Sequence, residues 1–185
     1  MLKEIYRDTE TRMAKALDAL ARELTLIRTG KASTALLDGV KVDYYGTPTP
    51  LKQVASVTAP DPKLLVVQPW EKSLIPEIVK AIQKADLGLN PITEATIVRL
   101  PIPALNEERR KEMAKAVKKY GEDSKIAVRN IRRDALEHLK KAEKDSKITE
   151  DEMHQGQKHI QDSTDHQITQ IDKMVESKEA EVMEV

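Results

Sequence analysis

Between Leu2 and Arg28 the apolar positions Ile5, Met13, Leu17, Leu20, Leu24 and Ile27 recur mainly at steps of three and four, with charged residues between them. At about 100° per residue this spacing keeps one face apolar and predicts a long amphipathic helix. Thr29-Gly30 predicts its end, because glycine enters the left-handed region without steric cost. A longer version of the same pattern fills Asn106 to Lys144, where Met113, Val117, Tyr120, Ser124, Ala127, Ile131, Ala135 and His138 form one seam. A single helix of that length would reach about 58 Å. Asn106 is placed to cap it. Glu107 and Glu108 suit the positive end of its dipole, and Lys140, Lys141 and Lys144 the negative end. Gly121 reads as a weak point inside it, costing about 1 kcal/mol relative to alanine. Asp145-Ser146-Lys147 breaks the pattern, and Thr149 with Glu152 forms a capping box. Met153, Ile160, Thr164, Ile168, Ile171, Val175 and Val182 then mark a third long helix. Three long helices with narrow seams predict a three-helix bundle.

The middle of the chain has a different period. Val40, Val42 and Tyr44 alternate with polar neighbours, as in a half-buried strand, and Gly46-Thr47-Pro48-Thr49-Pro50 reads as an extended, turn-rich break. Leu51–Thr58 and Lys63–Gln68 read as two more strands around the turn Pro60-Asp61-Pro62. Ser73 is placed to cap a short helix carrying Ile75, Ile78, Val79 and Ile82, with Pro76 in its first turn and Gly88 after its end. Ala95–Leu100 gives a last strand. The predicted fold class is therefore α+β: an elongated three-helix bundle from residues 1–29 and 106–185, with a small, β-rich α/β domain inserted at 31–104. Two connections join them, Thr29-Gly30-Lys31 and the stretch through Pro101, Pro103, Ala104 and Leu105. Two short connections side by side can bend about one axis as a hinge at 29–31 and 101–105, or hold as a rigid elbow.

Composition narrows the function classes. There is no cysteine, which excludes disulfides, thiolate metal sites and a cysteine nucleophile. Phe is absent and Trp occurs once, which fits aliphatic seams better than a sandwich core. No stretch is apolar over a bilayer's length, and Met1-Leu2-Lys3-Glu4-Ile5 enters a helical pattern without a signal core, so no membrane is expected and the cytosol is the default compartment. The net charge of +0 conceals a sorting by helix: residues 106–144 have thirteen basic and eight acidic side chains, and residues 145–185 have four and eleven. The segments are thus +5 and −7. That asymmetry suits either a phosphate-binding face or pairing between the two helices.

Candidate chemistry is sparse. No glycine lies five residues before Gly30-Lys31, so a phosphate-binding loop is not supported, and Gly-x-Ser-x-Gly does not occur. His159, Asp162 and His166 share a face of the last helix, yet polar composition alone places such residues there, and no metal or other cofactor is expected. The basic residues of the long helix are more pointed. Lys111, Lys115, Lys118, Lys125, Arg129 and Arg132 recur roughly half a turn from the seam. Within Arg129-Asn130-Ile131-Arg132-Arg133, three guanidiniums crowd about one and a half turns around the seam residue Ile131. Asp134 and Glu137 neutralise only part of that charge. Nucleic-acid contact and a solvated or internally paired face both remain open on the residues alone.

Five motifs resemble the bacterial ribosome recycling factor family. They are Ile27-Arg28-Thr29-Gly30-Lys31-Ala32-Ser33, Tyr44-Tyr45-Gly46-Thr47-Pro48-Thr49-Pro50-Leu51, Leu87-Gly88-Leu89-Asn90-Pro91, Glu107-Glu108-Arg109-Arg110-Lys111 and Val128-Arg129-Asn130-Ile131-Arg132-Arg133-Asp134-Ala135. The resemblance spans the chain in order. It implies an L-shaped, monomeric molecule that mimics the dimensions of transfer RNA, with the two domains joined by a hinge. It implies a cytoplasmic protein-biosynthesis factor, not an enzyme, that binds the ribosome after translation termination and splits it into subunits with elongation factor G and GTP. Its contacts to large-subunit ribosomal RNA would fall on Arg129, Arg132 and Arg133, then Arg28 and Arg110, with Lys118 and Lys125 on the same helix. The small domain would meet the GTPase. Lys31 stands where the family pattern calls for arginine, which keeps the charge but puts a bidentate contact in doubt. The rival reading is a helical coiled-coil adaptor that binds another helix through exposed seam residues.

Overall fold

The computed structural model describes residues 1–184. Contacts divide the chain into two compact units, Met1–Ile27 with Lys111–Val185, and Arg28–Arg110. The first is built from three helices, α1 (Leu2–Thr25), α4 (Glu107–Lys144) and α5 (Glu150–Met183), of which α4 begins inside the second unit. Asn106 Oδ1 accepts from Arg109 N at 2.8 Å, capping α4. Thr149 and Glu152 satisfy each other's backbone amides at the start of α5. The core of this unit takes Met13, Leu20 and Leu24 from α1, Val117, Val128 and Ile131 from α4, and Ile171 and Val182 from α5. A second cluster adds Ala135, Leu139, Ala142, Ile148 and Ile160.

The buried seam of α4 differs from the one its apolar spacing suggests. It runs Val117, Gly121, Ser124, Val128, Ile131, Ala135, Leu139, Ala142. Tyr120 and Ala127 are only half-buried and His138 is exposed. The two seams differ by about 40° around the helix at 100° per residue. Gly121 bears on the offset: it has no side chain to count as apolar, yet it lies in the buried seam against Val175 of α5. A Cβ at Gly121 would lie 2.4 Å from Val175 Cγ2. Gly121 is therefore a close-packing position, not merely a weak point in the helix.

In the second unit Val42 is buried and Tyr44 half-buried on β1 (Lys41–Tyr44). A turn with positive φ at both Tyr45 and Gly46 leads into β2 (Thr47–Pro50), which pairs antiparallel with β1. The stretch expected to be a break is thus an edge strand, where Pro48 and Pro50 cost little because only one side is paired. Leu51–Val54 forms a helical turn, α2, and the strand expected from Leu51 starts at Ala55 instead. β3 (Ala55–Asp61), β4 (Leu64–Pro69), β5 (Ile92–Glu94) and β6 (Ile97–Pro101) form an antiparallel sheet of order β3-β4-β6-β5. Leu65 faces Leu100 and Val67 faces Val98 across β4 and β6, and all four are fully buried. α3 (Ile75–Lys84) lays Ile75, Ile78 and Ile82 into the same core. Ser73 does not cap α3; it sits in a 3-10 turn, Lys72–Leu74, that runs straight into the helix. β5 escapes a reading by alternation because all its residues are exposed. Ala95 lies in the β5–β6 turn with φ of 34°.

Gly121→Ala tests the packing reading. Helix propensity alone would favour alanine by about 1 kcal/mol, but the β-branched Val175 has little freedom to withdraw. We expect a net loss of about 1–3 kcal/mol by urea denaturation, recovered in large part by adding Val175→Ala. A stabilised single variant would contradict it.

Candidate nucleic-acid interface

The 40° offset of the seam redistributes the basic residues of α4. Lys125, expected on the outward stripe, is turned towards α5, where its ammonium pairs with Asp172; it also pairs at 3.4 Å with Glu122 of its own helix, and its side chain is only 17% exposed. The hydrogen bond to Asp172 is the main cause that raises its pKa above the ordinary lysine value, with the neighbouring charges adding to it and partial burial opposing it. Arg132 also leans to α5, donating from Nη1 to Gln161 Oε1 at 3.4 Å, a neutral partner that leaves its charge uncancelled. Arg129 is half-buried and Arg133 exposed, as are Lys115, Lys118 and Lys119. Neither Arg129 nor Arg133 has a carboxylate partner among the described residues. Ile131 is buried, at 8% exposure, and anchors the cluster from beneath. The carboxylate closest in sequence, Asp134, is held from α1 by Arg12.

The basic side of α4 is thus narrower than its spacing implies. Its α5 flank is occupied by Lys125 and Arg132, and its centre runs along Lys115, Lys118, Arg129 and Arg133. The acidic last helix takes up Lys125 of α4 through Asp172, whereas Arg129 and Arg133 have no carboxylate partner from it among the described residues.

Two further candidates belong to the other unit. Arg110 Nη2 donates to the Leu105 carbonyl at 3.0 Å. The Arg28 guanidinium lies against Gly88, whose φ is +67° and at which a Cβ would meet Arg28 Nη1 at 2.9 Å. Glycine is favoured there by conformation, whereas the Arg28 guanidinium, at the end of a flexible side chain, could give way to a Cβ. This contact joins two of the sequence motifs, and no spacing rule would have found it. Of the connection residues, Gly30 has φ of +78° and its missing Cβ would face Leu105 Cγ at 3.6 Å.

On α5, His159 is taken up by α1: its ring stacks on Tyr6 with centroids 4.0 Å apart, and its Nε2 lies 3.1 Å from Glu10 Oε1. Among the described residues no group of three or more His, Asp or Glu is placed to hold a metal ion. No helix of the described chain is long and apolar enough to cross a membrane.

Residues 20–183 match the family model described as ribosome recycling factor. The chain is 53% identical over 181 residues to the ribosome-recycling factor of Oleidesulfovibrio alaskensis, covering 98% of each. It is 51% identical over 185 residues to that of Myxococcus xanthus, covering all of both. Among solved structures, a solution structure of ribosome recycling factor superposes with a TM-score of 0.82 at 38% identity over 100% of this chain and 98% of that one. A Thermus thermophilus ribosome recycling factor, described with Escherichia coli elongation factor G on the post-termination complex, matches at 0.69 and 46% identity over the full length of both.

The Lys125–Asp172 pair carries a pH signature. A folded-state pKa above the unfolded one contributes stability that is complete below the unfolded value, about 10.4 for lysine, and is lost as pH rises through the folded value. Asp172→Asn is expected to lower stability by on the order of 1 kcal/mol at neutral pH. That deficit should shrink above about pH 10.4. Urea midpoints of both proteins across that range check it, and a deficit that stays constant would contradict the pairing.

Proposed function

We propose that this chain, which belongs to the ribosome recycling factor family, binds the post-termination ribosome and, with elongation factor G and GTP, splits it into subunits for reuse. The observation that carries the reading is full-length similarity to such factors, one of them described together with elongation factor G on that complex. The chain is a translation factor. It hydrolyses nothing itself; GTP hydrolysis belongs to the partner, and the protein works in the cytosol where its ribosomes are.

Ribosomal RNA of the large subunit meets the outward side of α4. Arg129 and Arg133 are its centre, because their guanidiniums are carried by a helix yet are not spent on carboxylates among the described residues. Arg132 joins them, since a neutral amide partner is readily exchanged for a phosphate. Lys118 adds to the same side. Arg28 and Arg110 contact RNA from beside the two connections, one seated on Gly88 and the other tied to a backbone carbonyl. Lys125 acts within the bundle instead. The seam that a coiled-coil adaptor would offer to a partner, Val117, Val128, Ile131 and Leu139, is buried in the protein's own core.

The helical domain, 1–29 with 106–185, and the small domain, 31–104, move on the paired connections. Thr29, Gly30 and Lys31 on one strand and Pro101, Pro103, Ala104 and Leu105 on the other absorb the bend. Elongation factor G drives it through the small domain.

Three measurements test this. Adding the protein, elongation factor G and GTP to post-termination complexes should lower light scattering as subunits separate; a signal no different from that without the protein would overturn the function. Arg133→Ala should weaken binding to large subunits by roughly tenfold and lower the slope of log affinity against log salt by about 1. An unchanged slope would mean that the arginines face only solvent. Fluorescence energy transfer between a dye on each domain should change during splitting, and a constant transfer efficiency would rule out the hinge.

A further inference from the structure

Asp134 stands at the end of the arginine cluster Arg129-Asn130-Ile131-Arg132-Arg133-Asp134. A carboxylate there works against phosphate binding in two ways, by neutralising the neighbouring guanidiniums and by repelling the incoming anion. Burial does not conceal it, since its side chain is 50% exposed. Instead it is turned aside. Arg12, on α1 next to the fully buried Met13, donates from Nη2 to Asp134 Oδ2 at 2.9 Å. Along α4, Asp134 lies about 100° round from Arg133, on the flank served by α1, whereas Lys125 and Arg132 reach α5 on the other flank.

Each flank of α4 is therefore closed by a different neighbouring helix, and the charges at its centre are left for an external anion. The Arg12–Asp134 pair is itself half exposed, at 41% and 50%. Pairs so exposed to solvent add little to stability, so holding helices together accounts for little of it.

We infer that Arg12 is a positioning residue for RNA binding: it holds the Asp134 carboxylate towards α1 and cancels its charge, so that Arg129 and Arg133 meet phosphates at full strength. This rests on α4 being the RNA-facing helix, as proposed above. Arg12 acts through Asp134. It comes from a helix whose own segment, residues 1–28, is nearly neutral with six basic and five acidic side chains, which is why charge counting along the sequence passes over it.

The test is a rescue. Arg12→Ala should weaken binding to large ribosomal subunits about threefold to tenfold at low salt and lower the salt slope by about 1, because one local positive charge is lost. Adding Asp134→Asn to that variant should return affinity to within about twofold of the parent. Arg12→Lys, which keeps a cation facing Asp134, should retain most of the affinity. A double variant as weak as Arg12→Ala, or an Arg12→Ala that binds like the parent, would overturn the inference. Should Arg12→Ala fail to fold, Arg12→Gln with and without Asp134→Asn gives the same two readings. Arg133→Ala measured alongside separates the two levels: if it too has no effect, the RNA-facing reading of α4 fails; if it weakens binding while Arg12→Ala does not, only the role of Arg12 fails.

Discussion

The approach of α4 to α5 at Gly121 is the constraint on which the other features of the bundle depend. Val175 occupies the volume that any side chain at Gly121 would need. That contact is compatible with only a narrow range of rotations of α4 about its axis, the range in which Val117, Val128 and Leu139 are buried, all at 0% exposure. The same rotation decides which cations look outward. Lys125 is carried to within reach of Asp172 and Arg132 to Gln161, while Arg133 points to solvent. A rotation of a few tens of degrees would exchange these roles, because neighbouring positions on a helix differ by about 100°. A single glycine thus links the packing of the core to the electrostatics of the surface.

The charge sorting follows the same geometry. A segment of +5 beside one of −7 has the charge to neutralise itself. The acids of α5 lie mostly on its exposed side, Asp162, Asp165, Asp172 and Glu176 among them. Where α5 meets the arginine cluster it offers Gln161. A neutral acceptor orients a guanidinium without cancelling its charge, and the cost of replacing it by a phosphate is small. Near-neutrality of the whole chain therefore coexists with a local cationic strip.

Much of this was legible in the residues. Three amphipathic helices, the caps at Asn106 and Thr149, and the small α+β unit each have a local signature that tertiary packing reinforced. Periodicity sets the seam of α4 about 40° from the buried one because it counts side chains, and Gly121 has none. β2 was missed because Pro48 and Pro50 argue against a strand anywhere except at an edge. β5 was missed because it buries nothing. The arginines Arg129, Arg132 and Arg133 stood out by density, but their division into paired and unpaired required knowing which helix flanks each. Arg12 carried no signal at all, since its significance lies in a carboxylate 122 positions away.

We propose that the centre of α4 is an RNA-binding strip whose Arg129 and Arg133 have no carboxylate partner among the described residues. Electron cryomicroscopy of this protein on its large ribosomal subunit tests it most directly. Ribosomal RNA phosphates are expected within about 2.7–2.9 Å of the Arg129 and Arg133 guanidiniums, with Arg12 still on Asp134 and Lys125 still on Asp172. A bound state in which that side of α4 faces solvent, or in which Asp134 has left Arg12 to pair with the arginines, would contradict it.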